Sequence, residues 1–560
     1  MASLPLIVGY GGINAAGRSI FDLGYNRILF EKIGLLEQQE VLTSLGHLMG
    51  TSDQETIINK TLMREIDQDF FKLNNFRNPI LPTSAGGQLP SGFNPADTYN
   101  ARQHPRSLAM TVFGLSDALK SLGMPWEEII QRVPREKIGC ISGCAVAQAD
   151  KYGMGGMFQS ALSGSRVTSK HMAMSLGEMS ADFAHAYVLG SMGITGNFVG
   201  ACATFQYNLK VGISMIQSGE ALICVVGAAE SGIVPEIYEA FAATKGLAED
   251  SNLMALQERL GEDSSTPNYR KICRPFGENV GMSLGESAQF VVLMADELAI
   301  ELGLEIHGAA LSSHIHADGF KKSISGPGAG NYLTMGKALK QVQQYFGQDA
   351  LNKTFIHAHG TSTPQNRESE SHIISSLAKA MKIRALPVTA IKSYLGHSLA
   401  AAGGDQMINA LGSWNHLKIP GITTTPALAE NVSSDNVNYL LDHLEFEHGA
   451  FDFAILNAKG FGGNNGTALV ASPPKTLNLL QAKYSKKELQ KYEQANTGIK
   501  AALALEKKMI LEGSTKSRYL FGEGVLDGMV DFEFNDQAII NKKTGEKFSL
   551  EATLPYKEFL

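Results

Sequence analysis

The feature that most constrains the fold is a repeated alternation of short apolar segments and amphipathic segments of helical period. Apolar runs typical of buried strands occur at 5–9, 137–142, 196–200, 222–227, 290–294, 354–358, 388–392, 453–456 and 467–471. Between them, apolar residues recur at three- and four-residue spacing over 99–122, 172–189, 204–218, 335–348, 369–381 and 398–414. This alternation predicts an α/β chain with mostly parallel sheets.

Two stretches of the chain share the same order of elements. Around Cys202 a strand, the tight turn GACAT and a helix follow one another, and around His397 a strand, the turn YLGH and a helix of small residues do the same. The shared order predicts two related halves. We place these halves at 1–298 and 299–473, with a polar helical insertion near 30–85 and an extension over 474–560.

The extension differs in charge from the rest of the chain. From Lys483 to Arg518 there are nine Lys or Arg residues against four Glu, although the formal charge of the whole chain is −7. A solvated basic face is a more frequent origin of such a pattern than a docking surface for an acidic partner, and we favour it. The final segment, 519–548, carries Asp-Gly and Lys-Thr-Gly turn signals and predicts short antiparallel strands.

Composition excludes several classes of function. The 48 basic and 55 acidic residues give no global field that would attract nucleic acid. The longest apolar run, 221–229, is well below the roughly 20 residues of a membrane-spanning helix, and the N-terminus lacks the pattern of a secretory signal. Five cysteines without a CxxC pair argue against a disulfide framework or a zinc knuckle. We expect a cytoplasmic protein with no nucleic-acid or membrane partner.

Cys202 is the candidate nucleophile. It stands where a strand ends and a helix begins, between Gly200-Ala201 and Ala203-Thr204. The positive end of a helix favours a thiolate, and the N–H groups of such a turn can hold an oxyanion. A lone cysteine is more often a buried apolar residue, but the small neighbours and the strand-to-helix turn favour a reactive one here.

Two histidines occupy comparable positions. His359 follows a predicted strand and precedes GTSTP, and His397 begins a predicted helix. A neutral imidazole can donate through Nε2–H to a carbonyl oxygen when its other nitrogen is held. A single histidine at such a position is more often a core residue. Here Lys392 and Glu370 lie near the two histidines in the sequence, and the four residues form a polar cluster that favours a functional site. Because a buried lysine and a buried glutamate are costly unless paired, we expect a Lys392–Glu370 interaction.

A fourth candidate element is NAKGFGGNNGT, 457–467. Its Gly-rich turn lies between two predicted strands, and Phe461 is a large apolar residue among the glycines. Such a residue can gate a channel, and its backbone N–H can complete an oxyanion hole. A phosphate-binding loop would be followed by a helix, so we discount nucleotide binding.

Taken in chain order, four motifs resemble those of the β-ketoacyl-[acyl-carrier-protein] synthases of the thiolase superfamily. They are GACAT for the nucleophile, AHGTSTPxNxxxE and KSYLGHSLAAAG for the histidines, and GFGGNNG for the closing loop. The resemblance covers about 95–475. It implies a thiolase fold of five α-β-α-β-α layers and a homodimer. It also implies an acyl carrier protein, acyl-CoA and malonyl thioesters as partners, and no metal or organic cofactor.

The resemblance also implies a role for each matching residue. Cys202 would be the acyl-accepting nucleophile, and His359 and His397 would serve malonyl decarboxylation. The remaining roles are support of the histidines by Lys392 and Glu370, contacts to the pantetheine arm by Thr361 and Thr363, an oxyanion hole from Cys202 and Phe461, and substrate binding at Phe461, Gly462 and Gly463. Lys321 and Lys322 are further candidates to contact the anionic donor, although an exposed lysine pair is at least as often simply solvated.

Several features separate this chain from many family members. Arg367 stands where Asp is frequent, the block RPFGENVGMSLGES lacks an Arg-Asp pair, and Lys459 replaces an aromatic residue. These departures bear on primer length, pantetheine contacts and gating. The insertion, this block and ADGFKKSISGPGAGNY resemble a longer bacterial subgroup that starts fatty-acid synthesis from acetyl-CoA and malonyl-carrier protein.

Three alternatives stay open beside an initiating condensing enzyme. One is an elongating condensing enzyme for longer or specialised chains. The second is a metal-dependent hydrolase, suggested by His357-Ala-His359 with His397, although no HExxH motif or carboxylate cluster accompanies them. The third is a non-catalytic thiolase-like subunit, a class that usually lacks the nucleophile that Cys202 provides here.

Overall fold

The structure is a computed structural model that describes residues 2–67, 81–323 and 326–551. Its strands are β1 Pro5–Asn14, β2 Gly17–Arg18, β3 Arg64–Glu65, β4 Ala85–Gly86, β5 Ile138–Ile141, β6 Thr195–Gly196, β7 Ile223–Ser231, β8 Glu286–Ala295, β9 Gly308–Ala317, β10 Thr354–His357, β11 Leu386–Thr389, β12 Lys418–Ile419, β13 Val437–Tyr439, β14 Leu444–Glu445, β15 Phe453–Gly460, β16 Asn464–Ala471, β17 Phe532–Phe534, β18 Ala538–Asn541 and β19 Lys547–Ser549.

The α-helices connect these strands or cover them. They are α1 Leu23–Ile28, α2 Leu35–Met49, α3 Gln54–Asn59, α4 Arg106–Lys120, α5 Trp126–Ile130, α6 Met154–Leu162, α7 Ser169–Met174, α8 Met179–Phe183, α9 Thr204–Ser218, α10 Pro235–Ala243, α11 Asp250–Arg259, α12 Asp296–Leu302, α13 Gly330–Phe346, α14 Gln348–Leu351, α15 Pro364–Ala380, α16 Lys392–Leu395, α17 Ala402–His416, α18 Pro473–Gln481 and α19 Lys486–Leu511.

The main sheet consists of two halves that repeat the same arrangement of strands. One half has the strand order β1-β8-β7-β5-β6, and the other has the order β9-β16-β15-β10-β11, extended by β13. In both halves the first two pairings are antiparallel and the next two are parallel. The halves meet where β1 pairs with β9. The repeated order confirms the prediction of two similar halves, whereas the boundaries at 298 and 473 stay a prediction.

The halves stack as five layers because two helices lie between them. The apolar faces of α9 and α17 share one core with the inner faces of both half-sheets, through residues such as Phe205, Leu209 and Met407. Close approach depends on the small residues of α17, since a Cβ atom at Gly404 would lie 2.5 Å from Cβ of Gln289. Helices α4, α13 and α15 cover the outer faces. The order is α-β-α-β-α, as expected.

Some predicted elements differ from the structure. The strand expected at 388–392 ends at Thr389, and Lys392 opens the short helix α16. The helix expected over 172–189 is interrupted near Gly177, whose carbonyl accepts the N–H of Cys144, and it resumes as α8 and a π-helical turn. Strand β9 was not predicted, because its outer half alternates partly exposed Ser and His residues instead of forming an apolar run.

The extension packs against the body through its basic residues. Lys483 bridges Asp296 at 2.6 Å, and Lys507 bridges Glu40 at 2.8 Å. The expectation of a merely solvated basic face is therefore wrong for these lysines. The short antiparallel strands predicted for the tail are present as β17, β18 and β19.

In the described part of the chain, the helices are all too short or too polar to cross a membrane.

Candidate functional site

A cavity of about 370 Å³ brings together residues from both halves of the sheet. Cys202, His359 and His397 all line it, and so do Thr361, Thr363 and Phe461. The nucleophile candidate comes from the first half, and the two histidines come from the second. The structure therefore unites most of the predicted site residues around one space.

Cys202 lies in a strained turn directly before α9. Ala201 has a left-handed φ of 50°, an unusual value for a residue with a side chain, and the thiol is 94% buried, with 6% of its residue surface exposed. Burial raises the pKa of Cys202 to about 11, although Lys392 and a backbone hydrogen bond from Phe461 oppose the shift. Burial thus opposes the effect of the helix terminus, which favours a thiolate, and it favours the thiol form of Cys202 in the free protein.

The closing loop contacts the nucleophile turn directly. A Cβ atom at Gly460 would lie 2.2 Å from the carbonyl oxygen of Gly200, so only glycine fits at this position. This approach brings the backbone of Phe461 to the Cys202 thiol. The ring of Phe461 is 42% exposed and packs on Phe241 with centroids 5.7 Å apart. Gly462 and Gly463 form the turn of the hairpin, with φ of 84° and 95°, and do not line the cavity.

The two imidazoles lie edge to face, with ring centroids 5.3 Å apart. Nδ1 of His397 accepts the N–H of Leu399 at 3.2 Å, which places the proton of a neutral ring on Nε2. That Nε2 and Nδ1 of His359 are buried without a hydrogen-bond partner among the described residues. His397 therefore offers an unused N–H to the cavity.

Both histidines are neutral at ordinary pH. Burial, followed by the positive charge of Lys392, holds the pKa of His359 and of His397 well below the usual value of 6.5. His397 is also fixed through its backbone, since its N–H donates to Ser283 O at 2.8 Å and its carbonyl accepts the N–H of Gly285 at 3.0 Å. These contacts fix the backbone of His397, and the hydrogen bond from Leu399 holds its ring.

Lys392 and Glu370 support His359 without touching each other. Lys392 Nζ donates to the carbonyl oxygen of His359 at 2.6 Å. Glu370 accepts the N–H groups of His359 and Gly360 at 2.7 and 2.8 Å, and the amide of Asn457 at 2.7 Å. The expected Lys392–Glu370 interaction is not a direct ion pair, because each side chain is bound by the His359 backbone; the Glu370 charge still acts on Lys392 and raises its pKa. Burial lowers the pKa of Lys392 to about 8.

The cavity mouth combines hydroxyls and cations. Thr361 and Thr363 lie with their hydroxyls 3.2 Å apart, and Thr363 caps α15 by accepting the N–H of Asn366. Lys459 donates to Ser369 at 3.1 Å and lines the cavity, as does Lys321. Lys322 is exposed and is not part of the lining.

Sequence reasoning left several site residues without a role. The segment around Ser283 clamps His397, and Met282 lines the cavity. Asn457 holds Glu370, and Gln406 donates to the carbonyl oxygens of Ala358 and Asn457, each at 2.9 Å. Only their positions in the sequence could have indicated such roles: Met282 and Ser283 lie in the block RPFGENVGMSLGES, and Asn457 opens the Gly-rich motif.

The histidine pattern His357-Ala-His359 does not form a metal-ligand cluster. In the described ranges, no group of three or more His, Cys, Asp or Glu side chains is placed to hold a metal ion. His357 lies outside the cavity lining and packs against Phe355, with ring centroids 5.6 Å apart.

The duplicated sheet and its five layers define the thiolase fold, and comparisons with known proteins assign the chain within it. Family models for the beta-ketoacyl synthase N-terminal and C-terminal domains match residues 106–299 and 307–425. The chain is 37% identical to the beta-ketoacyl-[acyl-carrier-protein] synthase FabY of Pseudomonas aeruginosa, over 94% of this chain and 95% of the relative. The chain therefore belongs to the β-ketoacyl synthase family.

One solved structure and a second sequence relative agree with this assignment. The crystal structure of the noncanonical ketosynthase FabY from P. aeruginosa superposes with a TM-score of 0.94 at 34% identity, covering 100% of this chain and 99% of that one. A 3-oxoacyl-[acyl-carrier-protein] synthase 2 of Vibrio cholerae is 28% identical over 48% of this chain and 60% of its own length. The family assignment leaves the metal-hydrolase alternative without support.

Proposed function

We propose that this protein is a β-ketoacyl-[acyl-carrier-protein] synthase that starts fatty-acid chains. It condenses malonyl-carrier protein, with loss of CO₂, with a short acyl primer from acetyl-CoA or an acyl-carrier protein. The observation that carries this proposal is the free Nε2–H of a neutral His397, facing the cavity that also holds His359 and the Cys202 thiol.

The first step is transfer of the primer to Cys202. Sulfur attacks the thioester carbonyl, its proton goes to the departing thiol, and the acyl group stays on Cys202. The N–H groups of Cys202 and Phe461, which approach the sulfur in the free protein, stabilise the tetrahedral oxyanion. Because the thiol has a pKa of about 11, deprotonation accompanies attack instead of preceding it.

The second step is loss of CO₂ from the malonyl thioester. Its C–C bond breaks, the electron pair forms an enolate, and His397 Nε2–H with His359 stabilises the enolate oxygen. The enolate carbon attacks the acyl-Cys202 carbonyl, and the sulfur leaves and takes up a proton. A neutral histidine pair suits this role, because it donates hydrogen bonds without protonating the carbanion. Thr361 and Thr363 contact the pantetheine arm at the mouth, and Phe461 acts as the gate.

The working unit in this proposal is a homodimer. Strand β6 lies at the edge of the sheet. Directly after it, Phe198 and Val199 are 53% and 55% exposed, and Met192 before it is 51% exposed. An open edge beside an apolar patch is an aggregation liability unless another chain covers it. A second copy paired through this edge would cover both, and a cytoplasmic location stays part of the proposal.

Intact-mass analysis tests the proposed chemistry. The protein is incubated with acetyl-CoA, with longer acyl-CoAs and with acyl-carrier proteins of matching chain lengths. We expect a mass increase of one acetyl group, absent from Cys202→Ala, and condensation only when malonyl-carrier protein follows. Preferential labelling by long acyl-carrier proteins would favour the elongating alternative, and no label from any donor would contradict the enzyme proposal and favour the non-catalytic subunit.

Light scattering combined with size-exclusion chromatography tests the dimer. We expect twice the chain mass for the wild type and a shift towards the monomer for Phe198→Asp. Exposed Phe534 lies on the extension, so Phe534→Asp serves as the matched control and should remain dimeric. A wild-type protein that is monomeric at micromolar concentration would contradict this part of the proposal.

A further inference from the structure

A second cavity, of about 520 Å³, lies apart from the catalytic one and is unusually rich in cations. No residue lines both cavities. The charged lining residues are Arg27, Lys32, Arg270, Lys271, Glu31 and Asp442. The four cations face two carboxylates, so the cavity has a net charge of about +2 before any ligand is bound.

Two guanidinium groups are placed side by side in this cavity. Arg27 and Arg270 both donate to the carbonyl oxygen of Ile58, at 2.9 and 2.6 Å, at the end of α3. Neither forms an ion pair within 4 Å with a carboxylate of the described residues. Burial, followed by the neighbouring charge of Arg270, lowers the pKa of Arg27 to about 9, and the charge of Glu31 acts in the opposite direction. Two adjacent guanidinium groups that lack an ion-paired carboxylate favour an added anion.

Both arginines keep a donor for such an anion. Arg27 uses Nε and Nη2 for Thr61 and Ile58, which leaves Nη1 without a hydrogen bond to any described residue. Arg270 uses Nη1 and Nη2 for backbone carbonyls, and its Nε forms no hydrogen bond to any described residue. These remaining donors lie on side chains that line the cavity. Thr423 and Thr424 add hydroxyl groups to the lining.

The cavity lies against the turn that carries the catalytic lysine candidate. Ser393 and Tyr394 line it, and both follow Lys392 within α16. The Tyr394 hydroxyl donates to Gly421 O at 2.6 Å, and the Tyr394 carbonyl accepts the N–H of Met63 at 2.9 Å. A ligand in this cavity would contact the far side of the turn from which Lys392 reaches His359.

We propose that this cavity is a binding site for a phosphorylated small molecule, with Arg27 and Arg270 holding its phosphate group. A phosphate dianion matches the net charge, and a guanidinium pair presents the fixed donors that phosphate oxygens accept. A single carboxylate would balance only half of the excess charge. The volume exceeds that of phosphate alone, which leaves room for the organic part of the ligand.

Isothermal titration of the full-length protein with inorganic pyrophosphate tests the proposal, with inorganic phosphate as the smaller probe. We expect one site per chain, with affinity that falls as salt increases. Arg270→Met should weaken binding by roughly tenfold or more, because it removes both a charge and a fixed donor. Because Arg270 also binds α3, circular dichroism must show that this variant is folded.

Lys32→Met provides a test that leaves the arginine contacts to α3 intact. It should weaken pyrophosphate binding by roughly threefold, through charge alone. Two controls should bind as the wild type does: Arg259→Met, from an exposed ion pair with Glu278, and Lys321→Met, from the catalytic cavity. No binding at millimolar pyrophosphate, equal binding by Lys32→Met and Arg270→Met, or loss of binding in Lys321→Met would overturn the proposal.

Discussion

Lys392 Nζ lies 2.6 Å from the carbonyl oxygen of His359, while Glu370 accepts the N–H of the same residue at 2.7 Å. His359 is thus fixed through both of its own backbone polar groups, by a cation on one side and an anion on the other. Lys392 and Glu370 both bind the backbone of His359 instead of each other. Replacing one of them therefore leaves the hydrogen bond of the other intact.

Removing the positive charge of Lys392 should shift the pH dependence of decarboxylation. The cation lowers the pKa of both histidines, so in Lys392→Met their pKa values rise and they become protonated at higher pH. The acidic limb of CO₂ release from malonyl-carrier protein should therefore move to higher pH.

Lys459→Met is the matched control for this shift. Lys459 also lowers the pKa of His359, but less than Lys392 and His397 do. Its acidic limb should move in the same direction by a smaller amount. A downward shift in either variant would contradict the assignment of neutral histidines.

Alkylation should report the raised pKa of the Cys202 thiol. With a pKa of about 11, the thiolate fraction at pH 7 is small and rises about tenfold for each pH unit. The rate of iodoacetamide addition, followed by intact mass with Cys202→Ala as the blank, should therefore keep increasing up to about pH 11. A plateau below pH 9 would show that a neighbouring group ionises the sulfur.

Replacing Glu370 should affect both stability and turnover. Glu370→Ala leaves the N–H groups of His359 and Gly360 buried without an acceptor, which should cost about 1–3 kcal/mol in the free energy of unfolding. Glu370→Gln has one acceptor oxygen left and should lose less. Acyl loading should fall less than decarboxylation in both variants, and equal losses would contradict a specific role at His359.

Gly460→Ala should disable the site without unfolding the protein. Its new Cβ atom would lie 2.2 Å from Gly200 O, so the nucleophile turn and the closing loop must separate, and the N–H of Phe461 moves away from the sulfur. Loading rate should fall by roughly a hundredfold, as for loss of one oxyanion donor.

Gly498→Ala is the control for this substitution. Gly498 lies within α19, and a Cβ atom there meets no atom within 4 Å. Alanine should keep wild-type activity and stabilise the helix by about 1 kcal/mol. Normal loading by Gly460→Ala would remove the closing loop from the mechanism.

The buried ion pair of Arg18 and Asp117 offers a test of the extension's attachment. Nε and Nη2 of Arg18 donate to Asp117, and Nη1 donates to Ser514 O at 2.9 Å. Arg18→Met should lower the free energy of unfolding by about 3–5 kcal/mol, because a buried carboxylate loses its partner. Urea denaturation should show partial recovery in the double variant Arg18→Met/Asp117→Leu, and an unaltered single variant would contradict this account.

Much of the fold and site could be predicted from the sequence because the relevant signals are local. Helix α9 begins and ends at the predicted residues, since a small-residue turn precedes it and Gly219, with a φ of 74°, ends it. Cys202 and His397 were recognisable from their turns.

What could not be predicted depends on burial and on partners distant in the chain. The Cys202 pKa follows from how completely the fold excludes water, and the partners of Lys392 follow from which backbone atoms lie within its reach. A local motif shows neither the degree of burial nor the partners of a side chain. The cation-rich second cavity could not be predicted for the same reason, because its lining residues come from segments several hundred positions apart.

The hydrogen bond from Arg18 to Ser514 joins residues 496 positions apart. During synthesis, Nη1 of Arg18 can therefore bind its acceptor only after Ser514 has been added and the segment that carries it has packed against the body. A chain that stops before Ser514 would still form the Arg18–Asp117 pair, but Nη1 of this buried guanidinium would lack its carbonyl acceptor.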